Sequence, residues 1–131
     1  MTCFWKGIQQ SLEKNDFETL TKKIIPRQPT IKELILFLKA SNIKTNNVIW
    51  NQTKLSDMEL QENFHAVKVF NINNINNGYA CSTCDPFLLL ICEIFSININ
   101  HCFLNKVMKY ENKKLVRKTI TFKSNYGHFW Y

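Results

Sequence analysis

Glycine and proline are scarce in this 131-residue chain, three of each, which argues against a long disordered segment. Long apolar runs are missing too. The longest, Pro86 to Phe95, carries Glu93 and falls well short of the ~20 residues a spanning helix needs, so it reads as a buried core helix and no membrane partner is expected. No basic leader with an apolar stretch behind it is visible at Met1-Thr2-Cys3-Phe4-Trp5-Lys6. No secretion signal is therefore expected, and the sequon Asn51-Gln52-Thr53 carries no glycosylation reading. A glycine-rich phosphate loop, paired catalytic carboxylates and a Ser–His–Asp pattern are all missing from the sequence.

Arginine is the other shortage. The net charge is +7, with 17 basic and 10 acidic residues, yet the arginines are Arg27 and Arg117 alone. Base readout and bidentate phosphate contacts favour arginine. The chain is also crowded with asparagine and isoleucine, which share A/T-rich codons with lysine, so an A/T-rich genome, as in many parasites and large DNA viruses, produces such a charge without selection for a ligand. A nucleic-acid-binding module is accordingly the third reading of function, behind the two below. Five cysteines, one of them inside the apolar run, point to free thiols in a reducing, intracellular and cytoplasmic setting.

What is present is patterned as one domain over residues 1–131. Phe4, Ile8 and Leu12 make one apolar helical face, and Asp16 is placed to cap a second helix with Phe17 and Leu20. After the break at Pro26 to Pro29, Thr30-Ile31-Lys32-Glu33 is a capping box for a helix with Ile31, Leu34, Ile35 and Leu38 inward; Ser56-Asp57-Met58-Glu59 is a second, opening a helix towards Phe64. Asn46 to Trp50 reads as a turn or short extended piece, and the asparagine-rich stretch ending at Asn77-Gly78 as an exposed loop. Asp85-Pro86 opens the apolar helix, with aspartate as N-cap and proline at the first helical position. Glu93 belongs at that helix's edge or in a hydrogen bond. The period then changes to two: Ile97 to Asn100, Val107 to Tyr110 and Thr119 to Lys123 read as strands, with Glu111 to Arg117 between the last two, and a turn at Asn125-Tyr126-Gly127 leads to a final strand from His128 to Tyr131. Helices followed by an antiparallel meander make the class α+β, helices packed on a small, mainly antiparallel sheet.

Cysteine hydrolysis requires a thiolate, a histidine to take and return the proton, and donors for the oxyanion. Cys3 stands just ahead of the first helix, where unpaired N–H groups favour negative charge. That effect supplies about 0.3–1 kcal/mol, less than the ~1.4 kcal/mol that moves a pKa by one unit, so a histidine partner is needed. His128, after a glycine at a strand start, is better placed than His65 on a helix end or His101 in a strand.

Cys3-Phe4-Trp5-Lys6-Gly7-Ile8 resembles the nucleophile motif of the ovarian-tumour (OTU) family of cysteine proteases, in which a cysteine followed by aromatics opens the core helix. Asn77-Gly78-Tyr79 with Asp85-Pro86-Phe87-Leu88-Leu89-Leu90 resembles that family's middle block, and Gly127-His128-Phe129 its closing motif; the three blocks span essentially the whole chain. The resemblance implies an OTU-like, papain-like fold and a thiol hydrolase that removes ubiquitin or a ubiquitin-like modifier, with Cys3 as nucleophile, His128 as general base and the backbone of Thr2 and Cys3 as oxyanion donors. The family's orienting residue stands two positions after the histidine. Trp130 is there in this chain and has no acceptor, which leaves Asn125 as the substitute. The second reading is a catalytically inactive OTU-like fold acting as an interaction or structural protein, for example in a virus particle.

Cys81-Ser82-Thr83-Cys84, with Cys92, His101 and Cys102, could be drawn as a zinc site, but it offers one clean cysteine pair and Cys92 belongs to the core helix. A redox CxxC wants a preceding strand and a helix start at the pair, and here the pair precedes Asp85 within a loop. No metal or cofactor is expected. Trp5, Trp50 and Trp130 are read as core or rim residues rather than a stacking platform.

Overall fold

The computed structural model describes residues 3–74, 84–125 and 129–130. Five α-helices and a six-stranded sheet are found among them, so the class is α+β.

The first two helices are α1 (Cys3–Ser11) and α2 (Lys14–Thr21). Phe4, Trp5, Ile8 and Leu12 are all buried, because a spacing of three and four keeps them on one face. Asp16 is not the N-cap of α2, contrary to the expectation from its position. Glu13 holds that position, and Asp16 is three residues on, accepting the Glu13 N–H at 2.8 Å.

Both predicted capping boxes form. In α3 (Ile31–Ala40) the Glu33 N–H donates to Thr30 Oγ1 at 3.2 Å and the Thr30 N–H to Glu33 Oε1 at 2.9 Å. In α4 (Asp57–Val69) Ser56 and Glu59 do the same at 3.1 and 2.9 Å. α4 runs beyond Phe64 to Val69, since Val67 is buried one helical turn below Asn63 and Phe64 and keeps the apolar side going. A 3₁₀ turn, Ile72–Asn74, follows. α5 (Pro86–Phe95) opens as expected: Asp85 Oδ1 accepts the N–H groups of Phe87 and Leu88 at 2.9 and 3.1 Å. Seven of its ten residues are buried, and it packs on α2, α3, α4 and the sheet, which makes it the central helix. Glu93 is at its edge, accepting both the backbone N–H and the side-chain amide of Asn47 at 2.8 Å.

The strands are β1 (Val48–Trp50), β2 (Thr53–Lys54), β3 (Asn98–Phe103), β4 (Lys106–Asn112), β5 (Thr119–Ser124) and β6 (Phe129–Trp130). Their order is β2-β1-β4-β3-β5-β6. Every neighbouring pair is antiparallel except β3 and β5, which are parallel. The sheet is thus mainly antiparallel, but the expected meander is corrected. β5 cannot join the far edge of β4, because β1 occupies it from Val48↔Asn112 to Trp50↔Tyr110. Asn112 turns the chain away, its Oδ1 accepting the N–H groups of Lys114 and Leu115, and the chain returns beside β3.

Strand β2 has no counterpart in the sequence reading. It follows a two-residue turn in which Asn51 and Gln52 have φ of 49° and 64°, the geometry of a tight hairpin that usually calls on glycine. Here β4 holds it: Asn51 donates its N–H to the Lys109 carbonyl and accepts the Lys109 N–H on Oδ1.

Side chains alternate across each strand. Val48, Ile99, His101, Met108, Tyr110, Asn112, Phe122 and Ser124 are buried on the face covered by the helices. Their neighbours in sequence face the other way.

Candidate active site

The first helix and the last strand come together in the fold. α1 begins at Cys3 and packs against β6, the edge strand added to β5 through Lys123↔Trp130 and Ser124↔Phe129. Cys3 is therefore the first residue of the helix rather than the residue before it. Its position in the first turn is one where backbone N–H groups lack intrahelical acceptors and favour a thiolate. α1 is anchored at its core side by Trp5, fully buried, with ring centroids 4.9 Å from Phe4 and 4.8 Å from Phe87. Through Phe87 α1 touches the start of α5, so the two apolar blocks singled out in the sequence share one aromatic cluster.

Thr2 and His128 lie outside the described residues, as do Asn77-Gly78-Tyr79, Cys81 and Gly127. Asn125 is exposed and immediately follows β5. His65 is exposed on α4. Trp5 and Trp50 are fully and partly buried, core and rim as expected.

His101 has a more specific environment than its sequence context indicates. It is fully buried on β3, with Nε2 2.6 Å from Ser124 Oγ on β5 and its ring beside Phe103, centroids 6.4 Å apart. Burial depresses its pKa to about 4, so near neutral pH the imidazole is uncharged. Parallel register brings the pair together: His101↔Phe122 and Phe103↔Ser124 frame it. Strand pairing is a tertiary property, and nothing in the separate runs Ile97–Asn100 and Thr119–Lys123 signals it.

Of the residues drawn into a hypothetical zinc set, Cys84, Cys92, His101 and Cys102 are among those described. Cys92 is fully buried in α5, with Sγ 4.0 Å from the Tyr110 carbonyl. His101 and Cys102 are consecutive on a strand and so point to opposite faces. Among the described residues no group of three His, Cys, Asp or Glu side chains could hold a metal ion. Burial, with a smaller contribution from Asp85, pushes the Cys84 thiol up to about 12, and burial also raises the Cys92 thiol well above the ordinary thiol range. Neither thiol is activated.

A buried carboxylate lies at the other end of α1. Asp16, 3% exposed, takes Arg117 at 3.1 Å and Lys118 at 2.6 Å. Burial alone would raise its pKa, but the Lys118 ammonium, the Glu13 N–H and the Arg117 guanidinium together hold it below the usual carboxylate value. Lys118 also donates to the Ser11 carbonyl at 3.2 Å, satisfying a C-terminal carbonyl of α1. This cluster is structural: it locks the α1–α2 corner to the start of β5.

Among the described residues no helix is long and apolar enough to cross a membrane. Comparison of the chain with known protein families, with curated proteins and with solved structures finds no match.

Proposed function

We propose that the chain is an OTU-like cysteine isopeptidase acting on ubiquitin or a ubiquitin-like modifier, with Cys3 as nucleophile and His128 as general base. The observation that supports this reading is the packing of α1, which opens at Cys3, against β6, whose first residue, Phe129, directly follows His128. In the reaction the Cys3 thiolate adds to the carbonyl carbon of the modifier's C-terminal glycine, and the Cys3 thiol proton passes to His128. The backbone amides of Thr2 and Cys3 stabilise the oxyanion. The C–N bond then breaks and the His128 proton leaves with the lysine amine; water, deprotonated by His128, adds to the thioester carbonyl, the C–S bond breaks to free the modifier's C-terminal carboxyl group, and the His128 proton returns to the Cys3 sulfur. Asn125 orients the imidazole.

A second reading, an inactive OTU-like fold that serves as an interaction or structural protein, draws on Trp130 standing where the family carries an acceptor for the histidine. A ubiquitin probe with a C-terminal electrophile separates the two. The isopeptidase reading expects a covalent adduct with the wild type, none with Cys3→Ala, and strongly slowed labelling with His128→Ala. A folded wild-type protein that leaves the probe untouched overturns it in favour of the structural role.

A further inference from the structure

The charge of this chain is not spread evenly. Seven of its 17 basic residues but one of its 10 acidic residues lie between residues 96 and 131, the stretch that builds β3 to β6. Codon bias raises lysine throughout a chain; it does not clear aspartate and glutamate from one part of it. Two of the seven, Arg117 and Lys118, are used by Asp16.

Register shows where other lysines collect. On the sheet face turned away from the helices, Lys54, Ile49 and Glu111 form one row across β2, β1 and β4. Lys109, Asn100 and Thr121 form the next, across β4, β3 and β5, and Val107, Cys102 and Lys123 the row after that. Lys54, Lys109 and Lys123 are exposed, and no ion pair engages them among the described residues. Each is two strands and one row on from the last. With strands ~4.8 Å apart and ~6.7 Å between same-face residues, the steps are about 12 Å and the backbone positions of the three lysines follow a diagonal of roughly 23 Å. Asn100, Thr119 and Thr121 flank this line with short hydrogen-bonding side chains, and Glu111 is the single acid among the described strand residues of this face.

We infer that this open sheet face binds the phosphodiester backbone of nucleic acid without reading its sequence. A line of separated cations suits a linear polyanion, whose charge repeats every ~3.4 Å along each strand. A protein partner would instead use an aromatic or apolar anchor at the centre, where this face carries Asn100 and Lys109. Lysine amines held on short strands position a backbone and carry no base code. The face is on the opposite side of the sheet from the helices, so the binding is independent of the isopeptidase proposal.

The test is fluorescence anisotropy of the full chain with two labelled 20-base-pair DNA duplexes of unrelated sequence. Three phosphate contacts give a log–log salt slope of about −2.7, or about 40-fold weaker binding at 200 mM than at 50 mM salt, alike for both duplexes. Lys54→Gln/Lys109→Gln/Lys123→Gln abolishes binding, the corresponding arginine triple keeps it, and Lys14→Gln/Lys23→Gln/Lys32→Gln on the helical side changes it less than twofold. The inference is overturned by absence of binding at 50 mM salt, by equal loss in the two glutamine triples, by failure of the arginine triple to bind, by a marked preference between the duplexes, or by polyglutamate competing as well as unlabelled duplex, which would assign the face to an acidic protein.

Discussion

Asp16 and Lys118 meet at 2.6 Å although 102 residues separate them, and with Arg117 they tie the second helix to the start of β5. A carboxylate this buried depends on its cations. Asp16→Asn is expected to cost roughly 1.5–3 kcal/mol, the range for hydrogen bonds to charged groups, because Arg117 and Lys118 stay partly hydrated. Urea unfolding at pH 7 measures it. The folded-state pKa lies below the ordinary 3.8, so the contribution is full above about pH 4 and is lost as pH falls through the folded value. The variant should therefore differ less from wild type at pH 3 than at pH 7.

His101 titrates in a different window. Its folded pKa is depressed to about 4 from 6.5, so protonation favours the unfolded chain. Its contribution is full above pH 6.5 and is lost as pH falls towards 4, at most roughly 3 kcal/mol for a shift of this size. Urea midpoints between pH 7 and pH 4.5 should drop in the wild type and drop less in His101→Gln. Equal slopes in the two proteins would remove His101 as the cause.

Tyr110 is fully buried on β4, and its hydroxyl accepts the Asp85 N–H at 2.9 Å, fixing the residue that caps α5. Tyr110→Phe keeps the ring and removes the acceptor for a buried N–H, an expected loss of about 1–3 kcal/mol in thermal or urea unfolding. Ring packing alone would leave stability unchanged.

Native thiol reactivity should divide the cysteines. Burial pushes the Cys84 thiol up to about 12 and raises the Cys92 thiol as well, so both should resist iodoacetamide at pH 7.5 until denaturant is added, as read by peptide mass mapping. Rapid native alkylation of Cys92 would contradict its place in the core.

Much of the helical half was legible in the sequence. The Thr30–Glu33 and Ser56–Glu59 boxes and the Asp85-Pro86 start are local signals whose partners lie within three residues, and the apolar spacing of Phe4, Ile8 and Leu12 needs only the helical period. The candidate site was legible in part: Cys3 at a helix start follows from the residues after it. That α1 rests against β6 does not, because the contact joins segments at opposite ends of the chain.

By itself, then, the sequence determined where α3, α4 and α5 begin, which helical faces are buried and that the runs of β3, β4 and β5 extend, since these depend on neighbours along the chain. Tertiary structure alone decided that β5 lies parallel to β3, that Asn51 and Gln52 close a hairpin without glycine, that Asp16 answers Arg117 and Lys118 rather than capping α2, and that three lysines fall on one diagonal. Each of these depends on which strand edge is free and which register the buried side chains enforce, and that choice is made among segments far apart in the chain.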